Sequence, residues 1–272
     1  MTVLASVVIP AHDEQAHIVE NLTALLADLP QGSLEVVVVC NGCRDDTASV
    51  AGSVPGVRVV ELPKASKIAA LRAGDAEAAY FPRIYLDGDV RLSGRAAAAL
   101  AEALAKPAPR VAGVLPEVDL SGASWSVRRF YGFRLRLPVL RQGIIGAGVY
   151  ALNEAGRDRL GVWPDVLGDD AYVLRSFTPQ ERILVQGHCT RVVAPPTLRD
   201  VIRRGVRVRR GNAELGSLTT GNVAAAPSTG VSTALWQAAW APPQWPDAVV
   251  WLAASLVIRL LTWLRCAGDW QR

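Results

Sequence analysis

Short runs rich in valine and isoleucine alternate with helix-period stretches between Val7 and Leu115, and this alternation restricts the fold more than any other feature. Ser6-Val7-Val8-Ile9 reads as a strand, and Glu14 to Leu29 follows with Ile18, Leu22, Leu25, Leu26 and Leu29 at helical spacing. Glu35 to Val39 reads as a second strand, Asp46 to Ala51 as a short helix, and Val57 to Leu62 as a third strand. An alanine-rich helix over Ser66 to Ala79, a strand over Ile84 to Leu86, a helix over Gly94 to Ala105 and a strand over Val111 to Leu115 complete the series. The pattern predicts an α/β fold with a mostly parallel central sheet covered by helices. At 272 residues the chain can hold one large α/β domain, or a domain with an appendage. Half of it is hydrophobic, which excludes a disordered chain. The net charge of +4 suits a binder of phosphates or of an acidic membrane surface and does not call for nucleic acid.

The stretch Tyr85-Leu86-Asp87-Gly88-Asp89-Val90 places two carboxylates directly after an apolar run. If that run is a buried strand, the acids emerge at its carboxyl end, the edge where open α/β sheets bind ligands. Oxygen ligands at that spacing suit Mg²⁺ or Mn²⁺, with Asp89 and Asp87 as the metal ligands. The plain alternative is an Asp-Gly turn with solvated acids.

Other candidates lie at equivalent points. Strand one ends in Pro10-Ala11-His12-Asp13-Glu14, and strand two in Cys40-Asn41-Gly42-Cys43-Arg44-Asp45-Asp46. Asn41 can offer an amide edge to a nucleobase, and Lys67, opening a helix, can meet a phosphate. Gly146-Ala147-Gly148 lies in a glycine-rich loop entering a strand, Gly168-Asp169-Asp170 precedes a helix, and Arg203, Arg207 and Arg210 share one face of a further helix.

The order and spacing of these segments, over about residues 5 to 215, resembles the family 2 glycosyltransferases, which have the GT-A (Rossmann-like) fold. The resemblance implies an inverting, metal-dependent transfer of a single sugar from a nucleotide-diphosphate donor, UDP- or GDP-linked, to a hydroxyl of a glycan or lipid-linked acceptor. It implies Pro10, Ala11, Glu14, Asn41, Lys67, Asp87, Gly88, Arg207 and Arg210 as donor-binding residues. Gly146, Ala147, Gly148 and Asp169 would bind the acceptor, and Asp170 would be the catalytic base. Many relatives carry an acid where Cys40 stands, so the nucleobase is left open. The Gln-x-x-Arg-Trp of processive members is absent from this sequence, which argues against a polymer synthase.

Parts of the sequence also fit other functions. Cys40 and Cys43 form a C-x-x-C that could be a redox motif or, with His188 and Cys189, a zinc site. Acidic Asp45 and Asp46 would raise a thiol pKa, and adjacent His188 and Cys189 are poorly spaced for one tetrahedral ion. A retaining enzyme would share the donor half, and a sugar-nucleotide pyrophosphorylase would need a different loop after strand one. A non-catalytic membrane-surface protein is the rival from another class.

The carboxyl-terminal part, 216–272, reads as a separate extension to a catalytic domain over 1–215. Six of the eight tryptophans fall between Trp236 and Trp270. An apolar helix over 247–265 is at the short limit for a bilayer span and contains Arg259, so an interfacial helix or a packing helix is expected. Met1 to Pro10 shows no basic leader, and four cysteines are too few for a disulfide framework. The expected location is the cytoplasm, at the inner face of the membrane.

Overall fold

The computed structural model describes residues 2–138, 140, 144, 146–165, 168–217, 231–232, 235 and 244–269. Arg141, Gly143, Trp236 and Trp270 lie outside them. A single mixed sheet runs β3-β2-β1-β4-β7-β6-β8-β5. Its parallel half is β1 (Ala5–Ala11), β2 (Leu34–Asn41), β3 (Val57–Leu62) and β4 (Arg83–Leu86). The other half is β5 (Val90–Leu92), β6 (Val111–Asp119), β7 (Val149–Leu152) and β8 (Arg182–Val193), with β4–β7, β6–β7 and β5–β8 antiparallel.

Every residue of β1 is buried, as expected for a strand with both faces covered. Pro10 is tolerated in this inner strand because β4 pairs with β1 only as far as Val8, so no neighbour on that side needs its missing N–H. Between the parallel strands run α1 (Ile18–Leu26), α2 (Thr47–Gly52) and α3 (Lys67–Glu77). Ser66 caps α3 by accepting from the Ala69 N–H. At Gly74 this helix lies so close to β1 that a Cβ would sit 2.2 Å from Val8 Cγ1.

Helix α1 is shorter than its periodicity suggests. Residues 15–17 form a turn ahead of Ile18, and Ala27, extended at ψ +157°, ends the helix just before Asp28 at φ +64°. Strands β5 and β8 have no clean sequence signature: β5 has three residues, and β8 mixes an apolar run with Gly187 at φ +79° and polar residues.

Two compact units divide the chain. The first comprises Met1–Glu117, Gln142–Asp165 and Asp169–Val192; the second comprises Val118–Arg141, Val166–Gly168 and Val193–Arg272. The first holds nearly all of the sheet, with α4 (Gly94–Ala103), α6 (Glu154–Leu160) and α7 (Asp169–Ser176). The second is built from α5 (Trp125–Arg134), α8 (Leu198–Ser217) and α9 (Trp245–Asp269) around Val127, Phe130, Phe133, Val201, Trp251 and Ala254. Compactness thus groups α8 with α9, whereas the sequence division at residue 215 separates them.

Helix α9 contains a segment, Trp245–Leu264, long and apolar enough to cross a membrane. Its inner face packs on its neighbours. A Cβ on Gly205 of α8 would lie 2.4 Å from Ile258, and one on Gly132 of α5 would lie 2.5 Å from the Asp247 carboxylate. Asp247 is 9% exposed and pairs with both Arg129 and Arg136 at 3.3 Å. The outer face carries Val249, Leu252, Leu256, Leu260 and Trp263, all exposed.

Candidate active site

The parallel strands deliver their ends to one edge of the first unit. Asn41, buried at the end of β2, donates from Nδ2 to the Ala11 carbonyl at 2.8 Å and accepts from the Ser66 N–H at 3.0 Å. It therefore ties the end of β1 to the start of α3. Its amide is occupied by the main chain, so the base-reading edge expected from the sequence is not free. Pro10 and Ala11 are buried members of β1, and the Ala11 carbonyl already receives the Asn41 amide. The connections after β1 and β2 are cross-linked: the Glu14 N–H donates to Thr47 Oγ1 at 2.8 Å, and the Arg44 N–H to Asp13 Oδ1 at 2.7 Å.

After β4 the chain makes a tight turn, with the Val90 N–H donating to the Asp87 carbonyl at 3.0 Å. The Asp87 N–H donates to the Gly148 carbonyl at 2.9 Å, which brings the expected donor and acceptor segments together. Gly88 is buried, and a Cβ there would meet Glu14 Cγ at 3.2 Å. Its carbonyl accepts from Asn21 at 2.8 Å. Gly146 and Gly148 take φ of +74° and +64°, a region open to glycine. Gly148 also passes Val90 so closely that a Cβ would be 2.4 Å from Cγ2. The buried Ala147 carbonyl accepts from Thr190 Oγ1 at 2.7 Å.

Lys67 joins the two acid clusters. Its Nζ lies 2.6 Å from Asp87 Oδ1 and 2.9 Å from Asp169 Oδ1. The second Asp169 oxygen accepts from the Tyr150 hydroxyl at 2.9 Å. Burial works against the Lys67 charge, but Asp169 and Asp87 outweigh it and hold the ammonium above the ordinary lysine range. Tyr150 stacks on Tyr85, its partner in the β4–β7 register, with centroids 5.1 Å apart.

The carboxylates outnumber this cation. Burial, then Asp89 and Asp87, push the Glu14 carboxyl up to about 7. Burial, then Asp169, push the Asp170 carboxyl up to about 6 against the pull of Lys67. Burial also raises Asp87, with Lys67 opposing. Asp87 is half-buried and Asp89 is exposed. An all-oxygen set with surplus negative charge, partly facing solvent, fits a hard divalent cation on Asp89, Asp87 and Glu14.

Sequence reasoning missed Tyr150 and Thr190. The Tyr85–Tyr150 pairing needs the β4–β7 register, and Thr190 lies in β8, whose pattern is irregular. Arg207 and Arg210 belong to α8 of the second unit, Arg207 exposed and Arg210 half-buried. The C-x-x-C is reduced: Cys40 and Cys43 are free. Burial, then Cys43, push the Cys40 thiol up to about 12, opposite to a redox-active thiolate. Cys189 lies beside Glu117 at 3.5 Å.

Paired acids, two glycines of positive φ and a bridging lysine thus gather at one edge of the mixed sheet. The chain belongs to glycosyl transferase family 2, whose family model matches residues 6–153. No curated protein sequence matches it. Among solved structures it is similar to the mannosyltransferase PcManGT from Pyrobaculum calidifontis in complex with GDP-Man and Mn²⁺. That match has 21% identity, 98% of this chain and 81% of the other covered, and a TM-score of 0.58. Glucosyl-3-phosphoglycerate synthase from Mycobacterium tuberculosis, with Mn²⁺, UDP and glucosyl-3-phosphoglycerate, matches at 21% identity, 78% of each chain and a TM-score of 0.54. S. aureus TarS with UDP matches at 16% identity, 75% and 64% coverage and a TM-score of 0.51. These likenesses establish the fold. The chain is a glycosyltransferase of mixed α/β GT-A architecture.

Proposed function

We propose that the enzyme is an inverting, metal-dependent glycosyltransferase that moves one sugar from a nucleoside-diphosphate donor to an acceptor hydroxyl. The observation that carries this reading is Lys67, whose ammonium bridges Asp87 of the Asp-Gly-Asp turn and Asp169 beside Asp170. It holds the donor-side and acceptor-side acids at one strand edge. The Mn²⁺ complexes of PcManGT and of glucosyl-3-phosphoglycerate synthase support a divalent cofactor, Mn²⁺ or Mg²⁺, on Asp89 and Asp87 with Glu14 beside them. When bound, that ion would supply positive charge to the departing diphosphate.

In the proposed reaction Asp170 takes the proton of the acceptor hydroxyl. The acceptor oxygen forms its bond to the anomeric carbon as the bond from that carbon to the diphosphate oxygen breaks, and the electron pair leaves with the diphosphate. A carboxylate titrating at about 6 is mostly ionised at neutral pH and more basic than an ordinary aspartate. Asp169, fixed by Lys67 and Tyr150, orients the acceptor. The loop Gly146 to Gly148 lets the acceptor approach the backbone. Arg207 and Arg210 are assigned to the diphosphate on sequence resemblance alone.

We assign catalysis to residues 1–215 and treat 216–272 as an extension that lies on a membrane surface, so that the acceptor is lipid-linked or a membrane glycan. The exposed apolar outer face of α9 supports this, and the free thiols of Cys40, Cys43 and Cys189 suit a reducing cytoplasmic side. NMR of the product's anomeric proton tests the reading. An inverted anomer formed only with added divalent ion, and lost in Asp89→Ala, is expected. A retained anomer, or metal-independent turnover, would overturn it.

A further inference from the structure

The C-x-x-C motif has no part in the chemistry above, yet one of its thiols has company. Among the described residues, the group of potential metal ligands whose donor atoms converge is His12, Asp13 and Cys43, all within 4.8 Å of one another. His188 and Cys189 are not in it. We infer that His12, Asp13 and Cys43 bind a borderline-soft divalent cation, Zn²⁺ in kind, at a site chemically separate from the Asp87–Asp89 turn.

The donor atoms are prepared for this. His12 Nδ1 lies 2.7 Å from the Asn41 carbonyl oxygen, which can only accept. The proton therefore sits on Nδ1 and the lone pair on Nε2, the arrangement that metal-binding histidines adopt when their second nitrogen donates to a carbonyl. Asn41 is itself fixed by the bonds that join β1, β2 and α3. Asp13 accepts the Arg44 N–H on Oδ1, leaving Oδ2 directed to the imidazole, 3.8 Å from Nε2. Cys43 Sγ is 3.6 Å from the Ala11 carbonyl, a weak thiol bond readily exchanged for a metal bond.

Zinc bonds of about 2.0–2.3 Å put neighbouring donors of a tetrahedral ion about 3.3–3.7 Å apart. The present spacings, none above 4.8 Å, exceed this by at most about 1.5 Å, so modest side-chain movements would close the site. His12 and Asp13, with side chains 47% and 41% exposed, have room to make them. Imidazole with thiolate selects zinc-like ions, whereas the all-oxygen set of Asp87, Asp89 and Glu14 selects Mg²⁺ or Mn²⁺. The fourth position would be left to water. Such an ion would pin the connection after β1 to the connection after β2.

Cobalt titration of the full, reduced and metal-stripped chain tests this without any turnover assay. One equivalent of Co²⁺ should give a thiolate-to-metal charge-transfer band with the visible bands of a tetrahedral ion. The charge-transfer band should vanish in Cys43→Ser, and affinity should fall at least tenfold in His12→Gln, which keeps the thiol. Asp89→Ala, which abolishes the proposed turnover, should leave that band unchanged. Far-ultraviolet circular dichroism checks that each variant is folded, and His12→Gln alone decides the matter if Cys43→Ser is not. Absence of the band in the wild type, its survival in Cys43→Ser, or unchanged affinity in His12→Gln would overturn the assignment.

Discussion

The two units treat buried charge in opposite ways. At the strand edge of the first, one ammonium, Lys67, serves two carboxylates, with Asp89, Asp170 and Glu14 nearby. In the second, one carboxylate, Asp247, is held by two guanidinium groups, Arg129 and Arg136. The first cluster is short of positive charge and stays receptive to a cation. The second is over-neutralised and serves to seat α9 against α5. The ratio of acids to bases, more than the presence of ion pairs, separates a binding site from a fastening.

The largest effect should come from removing the proposed base. Asp170→Asn should lower kcat by about 10²–10⁴-fold while nucleotide binding is kept, as measured by steady-state turnover with calorimetry of the nucleoside diphosphate. Wild-type turnover from Asp170→Asn would detach the acid cluster from the chemistry.

Next in size is the fastening. Asp247→Asn leaves two guanidinium groups against a neutral amide and should destabilise the protein by about 2–4 kcal/mol. Added Mn²⁺ should not restore the loss in thermal denaturation.

Lys67→Met should cost less, about 1–3 kcal/mol, because water reaches the site. Here added Mn²⁺ or Mg²⁺ should recover much of the melting temperature, since a cation can replace the missing ammonium. Equal rescue of both variants, or of neither, would erase the contrast between the units.

The smallest effect is that of pH. The Asp170 carboxyl is raised to about 6, so its basic form is present above that pH and lost below it. The rate should therefore fall about tenfold for each pH unit below 6 and level off above it, as read from kcat/KM profiles. A profile flat down to the ordinary aspartate range would contradict the environment described for Asp170.

The parallel half of the sheet was legible because β1 and β2 are mostly apolar runs and β3 sets valines between Arg58 and Glu61, and the Asp87–Asp89 turn was legible because it follows an apolar run directly. The antiparallel strands were harder to read. Strand β5 is too short for any period, and β8 takes its place from pairing with β5, in which Thr190 faces Leu92. Asn41 shows what a strand-end amide leaves open to a reader of sequence. An amide at a strand end can meet a ligand or the chain itself, and only the approach of Ala11 and Ser66 decides which. Tyr150 was invisible because its role depends on Asp169, nineteen residues away, arriving at its hydroxyl.

Gly205 offers a last consequence. A glycine inside a long helix costs about 0.5–1 kcal/mol relative to alanine, yet here it lets Ile258 of α9 settle against the backbone of α8. That contact fixes the rotation of α8 about its own axis, and with it the compass bearing of Arg203 and Arg207, both exposed. The direction in which those guanidinium groups leave the helix is thus governed by a missing side chain on its opposite flank. Enlarging Gly205 would turn the whole row like a dial, without touching a single arginine.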